Sequence, residues 1–172
     1  MRRIATLVAT GAVAAAAAIT LAAAPASAAS AGQKAVIGRS LPSVSATGVE
    51  AAISYHYWQI GGTKKAGVKY WGKGYDVAGV YTHGKYGTYK GKLVLYVYGT
   101  DTKKDGKSAG IEIKGIPGDK YPRVYTPKKG KKTFSAVGNT GAKYVYIREV
   151  LGHKNGAYFD VTKAGKWKQI SV

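Results

Sequence analysis

The sequence predicts an all-β protein: an antiparallel β-sandwich of about eight to ten short strands, with a β-barrel as the alternative closure. Three observations carry this. The chain holds 14 Tyr and 3 Trp but only 2 Phe, and with Val and Ile these fall in short alternating runs, which suit a pleated, half-buried surface. Gly, Lys and Asp interrupt the runs at hairpin-length intervals, as turn residues do. Apart from a short turn expected near residues 47–53, no segment after the N-terminal region carries a helical period.

The first residues, MRRIATLVATGAVAAAAAITLAAAPASAAS, have the parts of an export signal: Arg2 and Arg3, an apolar stretch from Ile4 to Ala24, then Pro25 and the small-residue site Ala26-Ser27-Ala28. Cleavage after residue 28 is expected. An uncleaved membrane anchor is the rival reading, but alanine dominates the stretch and partitions weakly into hydrocarbon. The arginine pair also raises the twin-arginine route; its flanking pattern is missing, so general secretion is favoured and the protein is expected to be extracellular, free or cell-wall associated, with no stable membrane insertion after cleavage. Removing residues 1–28 takes two basic residues and no acid, leaving a net charge of 25 − 8 = +17 on 172 − 28 = 144 residues. A chain of that length builds one core. It contains no cysteine, which excludes thiol nucleophiles, thiolate zinc sites and iron–sulfur chemistry.

Residues 29–47 are small and polar and read as a flexible lead-in; residues 48–172 read as a single all-β domain. Strands are expected at roughly 50–60, 67–71, 75–83, 90–100, 109–115, 121–126, 132–136, 142–151, 156–162 and 166–171. In GKLVLYVYGT, Leu93, Leu95 and Val97 point one way and Val94, Tyr96 and Tyr98 the other, so both faces are apolar or aromatic and the strand is expected to be central. GIEIKGI sets Ile111 and Ile113 against Glu112 and Lys114, the pattern of a strand with one wet face. In KYVYIREV both faces end in charge, at Arg148 and Glu149, so the chain is expected to leave the core there.

Between two of these strands lies DTKKDG, with Asp101 and Asp105 four apart and Gly106 after them. A calcium loop would place oxygens at positions one, three, five and twelve. Position three is Lys103, position twelve is Glu112 in mid-strand, and Lys104 and Lys107 add positive charge. A hairpin turn is the favoured reading, with a weak cation site as the alternative. A catalytic pair is disfavoured, because neighbouring lysines keep the acids ionised. The strand–loop–strand YVYGTDTKKDGKSAGIEI resembles a group of small secreted actinobacterial β-sandwich proteins of unassigned function that carry DT, two variable residues and DG; the likeness spans about Lys92 to Val150. The resemblance implies export and a sandwich, and it brings no catalytic residues. Members often contain cysteine, which this chain lacks.

His56, His83 and His153 fall on separate segments without zinc-motif spacing. No Gly-x-Ser-x-Gly elbow and no phosphate loop is present, so no catalytic, metal or cofactor residue is assigned. The remaining signal is charge among aromatics. One cluster holds Lys64, Lys65, Lys69, Tyr70, Trp71 and Lys73; a second Lys85, Tyr86, Tyr89 and Lys90; a third Lys128, Lys129, Lys131 and Lys132. Lysines attract polyanions, and tyrosine and tryptophan stack on sugar or base faces. The same residues also serve to solubilise a β protein and blunt its edges. The expected function is that of a secreted, basic, non-enzymatic binding protein for anionic envelope or extracellular polymers, with nucleic acid bound only non-specifically. The alternative is an inhibitor or protein-interaction module that presents a rigid loop at 116–122 or 126–132.

Overall fold

The computed structural model describes residues 33–38, 41 and 52–172, and within them the alternating segments form eleven strands. These are β1 (Lys34–Ile37), β2 (His56–Ile60), β3 (Lys69–Trp71), β4 (Val80–Tyr89), β5 (Lys92–Asp101), β6 (Ser108–Lys114), β7 (Arg123–Tyr125), β8 (Thr133–Asn139), β9 (Tyr144–Asn155), β10 (Tyr158–Ala164) and β11 (Lys168–Ser171). They build two sheets, ordered β3-β2-β4-β5-β8 and β10-β1-β7-β6-β9-β11. The protein is all-β, and both closures foreseen from the sequence are present. The two sheets pack face to face, and β10 also pairs with β9, so that β9, β10, β1, β7 and β6 close into a five-strand barrel. Pairing is antiparallel except at β1–β7 and β2–β3. The expected signal peptide lies outside the described residues, as does most of the short turn near 47–53.

The main core sits between the sheets. Trp58, Ile60, Leu93, Leu95 and Val97 of the five-stranded sheet meet Ile111, Ile113, Val145 and Ile147 of the other, each such fully buried aliphatic side chain contributing about 1.5–3 kcal/mol. As expected, β5 is an inner strand, between β4 and β8. β4 runs on past residue 83 to Tyr89 because its glycines are part of the strand. A methyl group on Gly84 would lie 1.9 Å from the Tyr96 carbonyl oxygen and 2.8 Å from the Trp58 ring, so the indole occupies the space that a side chain would need.

A second core, of Ala35, Val124, Val150, Phe159 and Val161, fills the barrel. The ring is narrow, and glycine is required in its wall: a Cβ on Gly152 would lie 2.1 Å from the Asp160 carbonyl oxygen. This barrel corrects three expectations. The stretch 29–47 is not lead-in throughout, since Lys34–Ile37 supply β1, which joins β10 to β7 and buries Ala35 completely. Glu112 does not face water, and the chain does not leave the core at Arg148. Both are buried, and Arg148 Nε donates to Glu112 Oε2 at 2.5 Å and Nη2 to Gln33 Oε1 at 2.8 Å. The Trp167 ring stacks on the arginine of this pair, its centroid 4.2 Å from the Arg148 guanidinium carbon and 4.3 Å from Lys114 Nζ. Closing a ring dries the face that an open sheet would leave wet, and only paired charges can remain there.

Glu149 points the other way, into the contact between sheets. It is fully buried and accepts hydrogen bonds from the Val77 N–H and the Thr82 hydroxyl, both at 2.8 Å. Desolvation by burial pushes its carboxyl up to about 8. The DTKKDG segment is a turn, but not a hairpin: β5 belongs to one sheet and β6 to the other, so the loop crosses between layers. Asp101 accepts from the Lys103 and Ala109 N–H groups, Asp105 accepts from the Lys107 N–H, and Gly106 takes φ +74°. The carboxylates serve as backbone acceptors, as Asx turns require.

Candidate binding face

Strand alternation gives the five-stranded sheet a second face, turned away from the main core. Its register sets side chains in rows that cross the strands. Tyr57, Lys85, Tyr96 and Val137 form one row, and Gln59, His83, Tyr98 and Ser135 the next. The Tyr55 and Tyr89 rings and Ile53 cover the end near Val94 and Tyr96. Beyond that cover, Tyr57 is 55% exposed and Tyr98 40%. Two large rings so exposed on one sheet face make an aromatic platform.

His83 is at the centre of the platform. Its ring centroid lies 5.2 Å from that of Tyr81, nearly parallel at 26°, and 5.8 Å from that of Tyr98 at 31°. Burial first, and then the positive charge of Lys65, hold its pKa below the ordinary 6.5, so at neutral pH it is an uncharged ring. Lys85 Nζ lies 3.9 Å from the Tyr55 ring centroid and 4.6 Å from that of Tyr96, a cation over two aromatic faces. Tyr55 and Tyr96 themselves meet edge to face at 5.5 Å.

The loop 61–68 brings lysine to this face. Gln59 is buried, and its side-chain amide donates to the Gly61 and Thr63 carbonyls, both at 2.7 Å. Gly61 and Gly62 take φ of +67° and +65° and reverse the chain after β2, and Gly67, at φ +69°, allows the second turn that brings β3 back parallel to β2. The Tyr70 hydroxyl donates to the Gly62 carbonyl at 3.2 Å. Lys65 and Val68, with Tyr57, Tyr81 and His83, then line a cavity of about 180 Å³. On the opposite side of His83, a shallower cavity of about 440 Å³ is lined by Tyr98, Thr100, Thr133, Phe134 and Ser135.

The residues expected from sequence separate into several environments. Lys65 and Lys85 reach the platform, and Lys64 is exposed beside Lys65. Lys69 and Lys73 are exposed, whereas Trp71 is in the main core, 6.2 Å from Trp58. Tyr86 packs against the main core from the inner face, Tyr89 packs against the Val94 cluster, and Lys90 occupies the β4–β5 turn with φ +49°. Lys128, Lys129, Lys131 and Lys132 are exposed on the β7–β8 loop. The clusters were grouped along the chain, and Tyr57, Tyr81, His83 and Tyr98 were therefore missed. For Tyr81, His83 and Tyr98 the signal was present in the two-residue spacing of VYTHGKY and LYVYGT, read one face at a time. Among the described residues, no group of three or more His, Asp or Glu could hold a metal; His56 lies beside Tyr86, and His153 pairs across β9–β10 with Asp160.

No protein-family model matches the chain, and no curated protein or solved structure matches it.

Proposed function

We propose that the protein is a secreted, strongly basic, non-enzymatic binding protein that associates with anionic envelope or extracellular polymers. The observation that supports this most directly is the Tyr57/Tyr81/His83/Tyr98 platform flanked by Lys65 and Lys85. Aromatic faces of this kind stack on the flat faces of sugar rings, and the lysines beside them attract acidic substituents. A net charge of +19 over the whole sequence steers a polyanion toward any such face.

The test is retention on purified cell walls and on a heparin-type resin. Retention is expected at low ionic strength and should fall steeply with added salt, because counterion release scales with the number of charge contacts. Replacing both exposed rings, Tyr57→Ala with Tyr98→Ala, should weaken binding about tenfold at fixed salt, as loss of two stacking contacts does. Absence of retention at low salt, or retention unaffected by loss of both rings, would refute the reading.

A further inference from the structure

Thr133, Phe134 and Ser135 are lining residues of two cavities. One is the shallow cavity beside His83 and Tyr98. The other is a notch of about 460 Å³ on the far side of β8, into which the β7–β8 loop and the end of β9 contribute Thr126, Lys128, Lys131 and Lys154. Among the described residues, none that lines this notch is acidic. The loop is held in shape: Lys154 Nζ donates to the Pro127 carbonyl, the Lys131 N–H donates to the Lys128 carbonyl at 2.9 Å, and Gly130 takes φ +77°. The Thr126 hydroxyl oxygen is buried without a hydrogen-bond partner among the described residues.

We propose that this notch binds a phosphate or sulfate monoester group carried by the same chain that lies on the tyrosine platform; the inference rests on the polymer-binding reading above. Three lysines approach from two separate segments, and the Thr126, Thr133 and Ser135 hydroxyls are at the same notch. Donors arriving from several directions suit a tetrahedral oxyanion with three free oxygens better than a planar carboxylate, whose two oxygens favour a fork-shaped partner. The platform and the notch are continuous through β8. Crossing β2, β4, β5 and β8 at about 4.8 Å per strand spans about 14 Å, so the ligand is an extended chain, stacked on rings at one end and held by its charged ester at the other.

The test has two parts. Inorganic phosphate is titrated while backbone amide resonances are followed, and binding of a sulfated oligosaccharide is compared with that of its desulfated, carboxylate-bearing counterpart. Both are run on the wild type, on Lys128→Ala/Lys131→Ala, and on Lys143→Ala, an exposed lysine before the opposite end of β9 from Lys154. Phosphate should shift the Thr126 and Ser135 amides in the wild type and not in the double variant. The sulfated chain should bind the double variant about tenfold or more weakly, as loss of charge-assisted contacts requires, while Lys143→Ala leaves it within about twofold. Phosphate shifts in the notch without oligosaccharide binding would keep the anion site and remove the polymer. Oligosaccharide binding that is equal for the desulfated chain, or equally weakened by Lys143→Ala, would overturn the notch and leave the polymer reading intact. Tighter capture of a single-stranded oligonucleotide through Lys128 and Lys131 would overturn the assigned ligand class.

Discussion

Glu149 is buried next to two hydrogen-bond donors and, among the described residues, has no ion-pair partner; the consequence is a pH-dependent stability. In the unfolded chain its carboxyl ionises near 4.5, and in the folded protein near 8, chiefly through desolvation, with the Asp76 charge raising it further. Between those values the unfolded state has released a proton that the folded state keeps. Stability should therefore decline as pH rises from about 4.5 to about 8, by up to about 5 kcal/mol, and then level off. Glu149→Gln stays neutral throughout, so urea midpoints taken at pH 5 and pH 9 should converge in the variant; an unchanged difference would show that another group is responsible. Arg148 and Glu112 behave differently, because each compensates the other. Arg148→Ala leaves a buried carboxylate and should cost about 3–5 kcal/mol, whereas Arg148→Met with Glu112→Leu should recover most of that loss. A double variant no more stable than the single would contradict the pair's assigned role. These residues were misread from sequence because alternation reports which side of a strand a charge is on, and not whether that side is dry.

Among the elements, DTKKDG shows how far a local pattern reaches. Its turn chemistry was legible, since Asp and Gly at those spacings satisfy backbone donors and accept positive φ. That the loop joins two layers and not two neighbouring strands was not, because nothing within six residues specifies which sheet the next strand enters. Asp101 accepts from both Lys103 and Ala109, so Asp101→Ala should lower stability by about 1–2 kcal/mol. Calcium should leave the melting temperature of the wild type unchanged; a rise that Asp101→Ala abolishes would restore the cation-site reading. β4 teaches a related lesson. The strand expected at 75–83 stopped short of Gly84 and Gly87, but each of these sits where another side chain or carbonyl already fills the space, and only packing distinguishes that from a turn. The platform was half legible for the same reason: Tyr96 and Tyr98 were placed on one face of β5, while Tyr57, Tyr81 and His83 became their neighbours only through the register of β2 and β4.

For the whole molecule, the decisive feature is closure of the barrel by β1. Val36 and Ile37 pair with Arg123 and Val124 in β7, and Lys34, Ala35 and Val36 pair with Asp160, Phe159 and Tyr158 in β10. Deleting residues 1–37 should therefore open two strand edges and uncover Phe159 and Val124, with loss of cooperative unfolding and onset of aggregation. If the truncated protein melts like the full chain, the barrel does not depend on this strand. Sequence by itself determined the all-β class, most strand positions, the central place of β5, and the excess of positive charge. All of these follow from side-chain period, turn chemistry and composition, which are local properties. Tertiary structure alone decided that Lys34–Ile37 is a strand, that Glu112, Arg148 and Glu149 are buried, and that tyrosines from three strands share a face with Lys65. Each of those depends on which distant segment completes a hydrogen-bonded edge or covers a face, and such pairing leaves no mark on the residues nearby.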